Sequence, residues 1–268
     1  MQAYPSLPPL PPETARAAKA VYSQNNFYLS TGSRLDILLA DIQFNSCTSP
    51  GGLYHLGKPL LALVTFFQYL EKLSDRQAAH ATGARIDWKY ALHLSMNYPG
   101  LNLTDLCDFR QCLLREPIAL QVFQQLLDRL SVDGPCPEFK DQTLDALDLL
   151  NEVCLRTRLD KVATGMRHVL QALAIRSPEW LRSISLPYWY NRYGDAAGQP
   201  DLTQSMQQLR TLAEVTGADI VYLLDAIFSS DIPELAGLPE VQELHEIRSE
   251  QFDPICLDGV NLYPYCYF

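Results

Sequence analysis

The sequence of 268 residues (30.2 kDa) is 47% hydrophobic and 19% charged, which excludes a disordered chain and leaves room for one large domain or two ordinary ones. A formal net charge of −10 argues against a protein that binds nucleic acid over its whole surface. Because the longest mostly apolar run, Leu60–Leu70, is too short to span a membrane and no secretory signal is recognisable, we predict a cytoplasmic protein without a membrane partner.

The negative charge is concentrated in the second half of the chain. Residues 1–53 contain three Lys or Arg and three Asp or Glu, and residues 54–116 contain seven and six. Residues 117–268 contain eleven Lys or Arg against twenty-two Asp or Glu. Any surface that contacts DNA is therefore expected within the first 116 residues.

The N-terminal segment is predicted to be an extended arm that leads into one helix. Residues 1–12 contain five prolines, which exclude a helix or a central strand. An alanine-rich helix is expected over Glu13–Val21, and the turn residues within 45–59 indicate a loop.

A pair of helices is predicted after this loop. Apolar residues from Leu60 to Leu73 recur at spacings of three and four, which indicates a helix that starts at Pro59. Ser74 and Gln77 have the spacing of a capping box at the start of the second helix, and we expect Gly83 to end that helix in the left-handed conformation.

A third helix would complete a pattern typical of a helix-turn-helix. Asp87 is expected to cap this helix and Pro99-Gly100 to end it. A tight turn with glycine between the second and third helix is the layout of a helix-turn-helix, although other small helical bundles contain such turns. Two more helices are predicted over Leu103–Leu114 and Ala119–Leu130.

The second half of the chain is also predicted to be mostly helical. Residues 144–175 have apolar residues at helical spacing, and Asp201 with Gln204 is expected to open a helix that Gly217 ends. Ile220–Phe228 suits a strand or a helix equally well. The predicted fold class is therefore mainly α, with an N-terminal helical bundle that contains a helix-turn-helix-like element and a second mostly helical region.

The seven cysteines are odd in number, are scattered, and contain no C-x-x-C pair. A chain of this size does not need a disulfide scaffold, so we expect buried free thiols. A metal site formed by Cys107, Cys112 and His93 is rejected because their spacing fits no common zinc pattern.

Two phrases between Leu61 and Leu114 are specific. LSDRQA stands at Leu73–Ala78 and IDWKYAL at Ile86–Leu92, and a later helix has the pattern L-x-x-F-R-x-x-L around Phe109-Arg110. With these phrases the chain resembles the N-terminal domain of insertion-sequence DDE transposases of the InsH-like type. Weaker similarity, in SPEWLRS, WYNRYG and TGADIVYLLDA, extends the resemblance over roughly residues 5–252.

The resemblance implies four segments. They are an arm with a linker helix (1–53), an InsH-like domain that binds DNA (54–130), a helical region that leads into the transposase core (131–252) and an irregular tail (253–268). The core that should follow is missing, and the tail has no helical period, so we expect a truncated transposase.

The resemblance also implies that the InsH-like domain recognises the terminal DNA of an insertion sequence. In a helix-turn-helix the third helix enters the major groove, and its neighbours contact phosphates. The candidate DNA-binding residues are Arg76, Gln77, Arg85, Lys89, His93 and Arg110. Lys89 and His93 are four residues apart and are expected to share a helix face. An internal ion-pair network with the nearby Asp75, Asp87, Asp105 and Asp108 would use the same cations and stays open as an alternative.

Catalysis is not expected. The family uses three carboxylates that hold two magnesium or manganese ions for phosphodiester chemistry. Counting back without gaps from Trp180 places Asp145 at the first aspartate, but its neighbours Leu144 and Ala146 depart from the family's phrase. We therefore expect neither cofactor nor enzymatic activity, with Asp145 as a vestigial candidate for a metal ligand.

Two functions follow from these expectations. The first is a transposase remnant that binds insertion-sequence ends without cutting them, and that also self-associates. The alternative is a co-opted all-helical interaction protein without a role in DNA binding, which the excess of acidic residues after residue 116 favours.

Overall fold

The computed structural model describes residues 7–23, 25–47, 55–132, 144–194 and 203–251. Within these residues the chain forms fourteen helices and no strand, which confirms the predicted mainly α fold. The chain divides into two compact units, Met1–Val153 and Cys154–Phe268. No helix in the described part of the chain is long and apolar enough to cross a membrane.

The first unit is built around one helix that is buried on all sides. Its described helices are α1 (Pro12–Val21), α2 (Phe27–Ser33), α3 (Leu35–Leu38), α4 (Lys58–Glu71), α5 (Asp75–Ala84), α6 (Ile86–Ala91), α7 (Leu103–Arg115) and α8 (Pro117–Val132). Every residue of α4 from Leu60 to Gln68 is buried. A helix that is buried around its whole circumference lies in the core rather than on the surface. Both α5 and α7 pack against α4.

The start of α5 follows the prediction, whereas its end does not. Ser74 and Gln77 form the expected capping box, in which the Ser74 N–H donates to Gln77 Oε1 at 2.8 Å and the Gln77 N–H donates to Ser74 Oγ at 3.4 Å. The prediction that Gly83 ends the helix is wrong, because α5 continues to Ala84. A Cβ at Gly83 would lie 2.7 Å from the carbonyl oxygen of Pro99, so this glycine allows the loop after α6 to approach α5 closely.

The third predicted helix, α6, is shorter than expected. Its N-cap is Arg85 instead of Asp87. It ends at Ala91, long before Pro99, because His93 adopts a left-handed conformation with φ of 53°. The Leu94 N–H then donates to the Lys89 carbonyl oxygen at 2.8 Å, which is the hydrogen bond of a Schellman motif.

Two cysteines in the first unit are joined by a disulfide. Cys47 and Cys112 are bonded across 65 residues of sequence, with 5.5 Å between their Cα atoms. The prediction of free thiols is therefore wrong for this pair, which attaches the segment after α3 to α7. Cys107 and Cys154 are not joined by a disulfide, and the other three cysteines lie outside the described residues.

The second unit has its own core. Its helices are α9 (Ala146–Arg176), which includes the unit boundary, α10 (Pro178–Ile184), α11 (Trp189–Tyr193), α12 (Met206–Phe228), α13 (Pro233–Ala236) and α14 (Pro239–Gln251). One cluster of buried residues joins α9 to α12 and α14, and its members include Val162, Met166, Ile220, Leu224, Val241 and Leu244.

The boundaries of α12 differ from the prediction. A capping box of Ser205 and Gln208 starts the helix. The helix continues through the buried Gly217 to Phe228, so Gly217 does not end it and Ile220–Phe228 is helical. Packing of the apolar face offsets the cost of about 1 kcal/mol of an internal glycine. The irregular tail predicted for residues 253–268 lies outside the described residues.

Candidate nucleic-acid interface

Arg110, one of the candidate DNA-binding residues, is buried in a charge pair. Its side chain is 4% exposed, and its two terminal nitrogens donate to the two carboxylate oxygens of Asp75. Gln68 Nε2 donates to the same carboxylate at 2.8 Å. The three side chains join α7, the first residue of α5 and α4. Arg110 therefore holds α5 in place from within the domain.

Arg85 is held by two carboxylates and two aromatic rings. Its Nε and Nη2 donate to Asp87 at 3.0 and 2.7 Å, and its Nη1 donates to Glu71. The guanidinium lies 5.2 Å from the ring centroid of Tyr28 and 5.4 Å from that of Trp88. The hydroxyl of Tyr28 and Trp88 Nε1 both donate to Glu71.

The carboxylates of this cluster keep the Arg85 guanidinium protonated. Burial alone would lower the pKa of Arg85, but the hydrogen bonds and charges of Asp87 and Glu71 raise that pKa above its ordinary value. Burial, with the neighbouring Glu71 carboxylate, raises the pKa of Tyr28, so its hydroxyl stays a donor. Arg85 thus joins α4 to the junction of α5 and α6.

Lys89 and His93 also bind partners inside the domain, and they do not share a helix face. Lys89 is 4% exposed, and its Nζ donates to the Met96 carbonyl oxygen at 2.6 Å. Burial lowers the pKa of Lys89. The two ring nitrogens of His93 lie 2.9 Å from the carbonyl oxygens of Pro8 and Gly32. Because the helix ends before His93, this side chain contacts the N-terminal arm and α2 instead.

The helix that was expected to read the major groove is covered. All residues of α6 except Ile86 are buried. Both α1 and α2 pack on α6 and cover it. A groove-reading helix needs an exposed face. In this fold α6 offers none while α1 and α2 are in place.

The neighbouring helix α5 does present an exposed face. Arg76, His80 and Ala84 are exposed at spacings of four, so they line one side of the helix, with the half-buried Gln77 beside them. We call these four residues the α5 face. Of the six candidate DNA-binding residues, Arg76 and Gln77 belong to it, and the Gln77 side chain also closes the capping box.

Among residues 72–104, all of which the structure describes, no carboxylate is exposed. Residues 72–104 include two acids, Asp75 and Asp87, and these are 7% and 4% exposed. The loop after α6 lies against α5, where Leu101 N–H donates to Thr82 Oγ1 at 3.0 Å. In a chain of net charge −10, this region thus combines exposed basic side chains with buried acids, which is the charge distribution that a polyanion requires.

A family model described as "Transposase domain (DUF772)" matches residues 18–112. Residues 18–112 are thus similar to that domain, and we refer to them as the transposase domain below. The match supports the resemblance of this part of the chain to the N-terminal domain of insertion-sequence transposases. In the further comparisons the chain matches no curated protein and no solved structure.

The transposase domain runs from within α1 to within α7 and includes both charge clusters. Its two specific phrases have structural roles that the contacts define. In LSDRQA, Ser74 and Gln77 cap α5 and Asp75 binds Arg110. In IDWKYAL, Asp87 binds Arg85. The outward-facing residue of these phrases with a full charge is Arg76.

Asp145, the vestigial candidate for a metal ligand, is exposed at the start of α9. Its Oδ1 accepts the Asp148 N–H at 2.9 Å, and its carbonyl oxygen accepts the Leu149 N–H at 3.0 Å. Asp145 therefore has the role of a helix cap. Across the described ranges, no group of three or more His, Cys, Asp or Glu is arranged to hold a metal ion.

His80 is the residue of the α5 face that the sequence prediction missed. Its signal was its position four residues after Arg76 on a helix whose other side carries Ala78, Ala81 and Thr82. Small residues on one side of a short helix indicate close packing there, so the opposite side is the exposed one.

Proposed function

We propose that the transposase domain binds DNA through the α5 face, with the ends of an insertion sequence as its target. The match of residues 18–112 to a transposase family is the observation that carries this proposal. The α5 face supports it, because it has exposed basic side chains, and the two acids within residues 72–104 are buried.

The residues divide into two groups by role. Arg76 and His80 contact DNA, Arg76 with a guanidinium suited to phosphate or to a guanine edge. Arg110 and Arg85 hold the two ends of α5 through their bonds to Asp75 and Asp87. Lys89 and His93 instead bind the loop after α6 and α2, respectively. Gln77 keeps its capping role and lies beside Arg76. Since a single domain offers few cations, self-association would raise the affinity by placing two such faces on one duplex.

A binding assay on the full chain tests this proposal. Fluorescence anisotropy is measured with a labelled duplex from the DNA that flanks the gene and with a scrambled duplex, over a series of salt concentrations. Arg76→Ala is expected to weaken binding and to reduce the slope of log K against log salt by about 0.9 for each lost phosphate contact. Arg115→Ala is the matched control, because Arg115 is also exposed but lies in the last turn of α7, after the end of the matched residues 18–112.

The possible results separate the two functions. If the chain binds no duplex even at low salt, the proposal fails and the all-helical interaction protein is the better account. If Arg115→Ala weakens binding as much as Arg76→Ala does, the α5 face is not the contact surface.

We also propose that this chain does not cut DNA. The capping role of Asp145 supports this, because the one aspartate that the family resemblance singles out is engaged in starting α9. Supercoiled plasmid incubated with the protein and magnesium or manganese should stay intact. Metal-dependent nicking that disappears in Asp145→Ala would contradict the proposal.

A further inference from the structure

The second unit has a basic segment within an acidic sequence. Residues 161–194 contain five Lys or Arg and a single acid, Glu179, whereas residues 203–251 contain two Lys or Arg and nine acids. Part of this charge is balanced inside the unit, since Lys161 binds Glu250 and Arg192 binds Asp219. Arg182 on α10, whose side chain is 72% exposed, pairs with the exposed Glu179 at 2.6 Å. The half-buried Arg167 donates to the Tyr193 carbonyl oxygen at 3.3 Å, and Arg176 is exposed at the end of α9.

Three tyrosines are exposed in the same region. Tyr190 is 69% exposed, Tyr188 45% and Tyr222 42%, so three large aromatic side chains contribute to one part of the surface. They surround the buried Trp189, whose ring centroid lies 5.8 Å from that of Tyr222. The Tyr222 hydroxyl donates to the Ile184 carbonyl oxygen at 3.2 Å, so α12, α10 and α11 meet beneath these rings.

The rings have a fixed support. The Arg192 guanidinium lies 4.8 Å from the ring centroid of Tyr188. Arg192 also donates to Asp219, which is 3% exposed and accepts the Tyr193 hydroxyl at 2.7 Å. Because this carboxylate is buried and bonded twice, Arg192 is held in place and orients the ring of Tyr188. The outer parts of the three tyrosine rings face solvent.

We propose that this tyrosine–arginine surface, formed by Tyr188, Tyr190 and Tyr222 with Arg182 of the adjoining α10, binds single-stranded DNA. Exposed aromatic rings next to arginines are the elements by which proteins hold unpaired strands, with bases stacked on the rings and phosphates paired with the guanidinium groups. A double helix keeps its bases stacked on each other and offers no free base to a tyrosine. The surface belongs to the second unit, so the proposal does not depend on the α5 face.

The test uses the full chain with Arg76→Ala and His80→Ala, so that binding by the α5 face is weakened in advance. Anisotropy of a labelled oligothymidine is measured at low and moderate salt, with an unlabelled duplex as competitor. Tyr190→Ala and Tyr188→Ala are each expected to weaken binding about tenfold, which is the effect of losing one stacked base. Tyr190→Phe keeps the ring and should keep most of the affinity.

Phe228→Ala is the matched control. Phe228 is an exposed aromatic residue of α12, 51% exposed, whose ring packs near His245 of α14 instead of Trp189. Its loss should leave the affinity unchanged, and circular dichroism verifies that each variant is folded. Absence of oligothymidine binding would overturn the proposal. So would an equal loss in Phe228→Ala, or a change of oligomeric state without a change of affinity in Tyr190→Ala, which would assign the surface to self-association.

Discussion

Replacing Arg110 with methionine removes the cation from the buried pair that joins α7 to α5. The side chains of Arg110 and Asp75 are 4% and 9% exposed, so water cannot take over the lost bonds. Removal of one partner from a buried pair costs about 3–5 kcal/mol. Because Gln68 continues to donate to Asp75 at 2.8 Å, we expect the free energy of unfolding to fall by about 3 kcal/mol, the lower end of this range.

Hydrogen exchange followed by mass spectrometry measures this loss in the full chain. Peptides from α5 and α7 should exchange faster by a factor that corresponds to the lost stability, whereas peptides from α12, in the other unit, serve as the internal reference. The double variant Asp75→Leu with Arg110→Met should recover more than half of the loss, because apolar residues of similar volume often replace a buried pair at little cost.

One result would refute this reasoning. If Arg110→Met lowers the free energy of unfolding by less than about 1 kcal/mol and also weakens DNA binding, the pair behaves as an exposed ion pair. Arg110 would then be available to DNA, and the fold around the start of α5 would be more open than the structure shows.

Three further effects on stability are expected. Reduction of the Cys47–Cys112 bond, which closes a loop of 65 residues, should lower the free energy of unfolding by about 4 kcal/mol in urea titrations, and Cys112→Ser should remove the response to reductant. Gly83→Ala should lower the free energy of unfolding by about 1–3 kcal/mol, although alanine has the better helix propensity, because the new Cβ would lie 2.7 Å from the Pro99 carbonyl oxygen. Thermal unfolding measures this loss, and an unchanged midpoint would mean that the loop with Pro99 moves to make room for the methyl group. Ser205→Ala should cost about 1 kcal/mol, visible as faster hydrogen exchange confined to the first turn of α12, and no change there would contradict the capping box.

Local signals in the sequence predicted most of the helices. The apolar spacing of α4, the capping box at Ser74 and the span of α7 act within a few residues, so the sequence alone defines them. Glycine as a helix end was misleading at Gly83 and Gly217. At both positions the helix continues because tertiary packing, which no local pattern records, decides where it ends.

The disulfide and the covering of α6 were beyond the reach of such patterns. Cys47 and Cys112 are 65 residues apart, and the chain contains seven cysteines that allow many pairings. The packing of α1 and α2 on α6 is a long-range contact. The proline-rich sequence of the arm predicts an extended conformation, but it does not predict which helix the following segments pack against. The sequence pattern therefore predicted that α5 and α6 exist, but it predicted neither where they end nor which of them is exposed.

The charges of the transposase domain explain why most of the candidate DNA-binding residues lie inside. A buried carboxylate needs a cation, and Asp75 and Asp87 take Arg110 and Arg85 for this purpose. A count of charges along the sequence treats these buried cations in the same way as exposed ones, so it overestimates the positive charge at the surface. It also overstates the negative surface, because the paired acids are hidden as well. Among the six candidate DNA-binding residues Arg76 is the exposed cation, so our proposal that this domain contacts DNA depends on Arg76 and its helical neighbour His80.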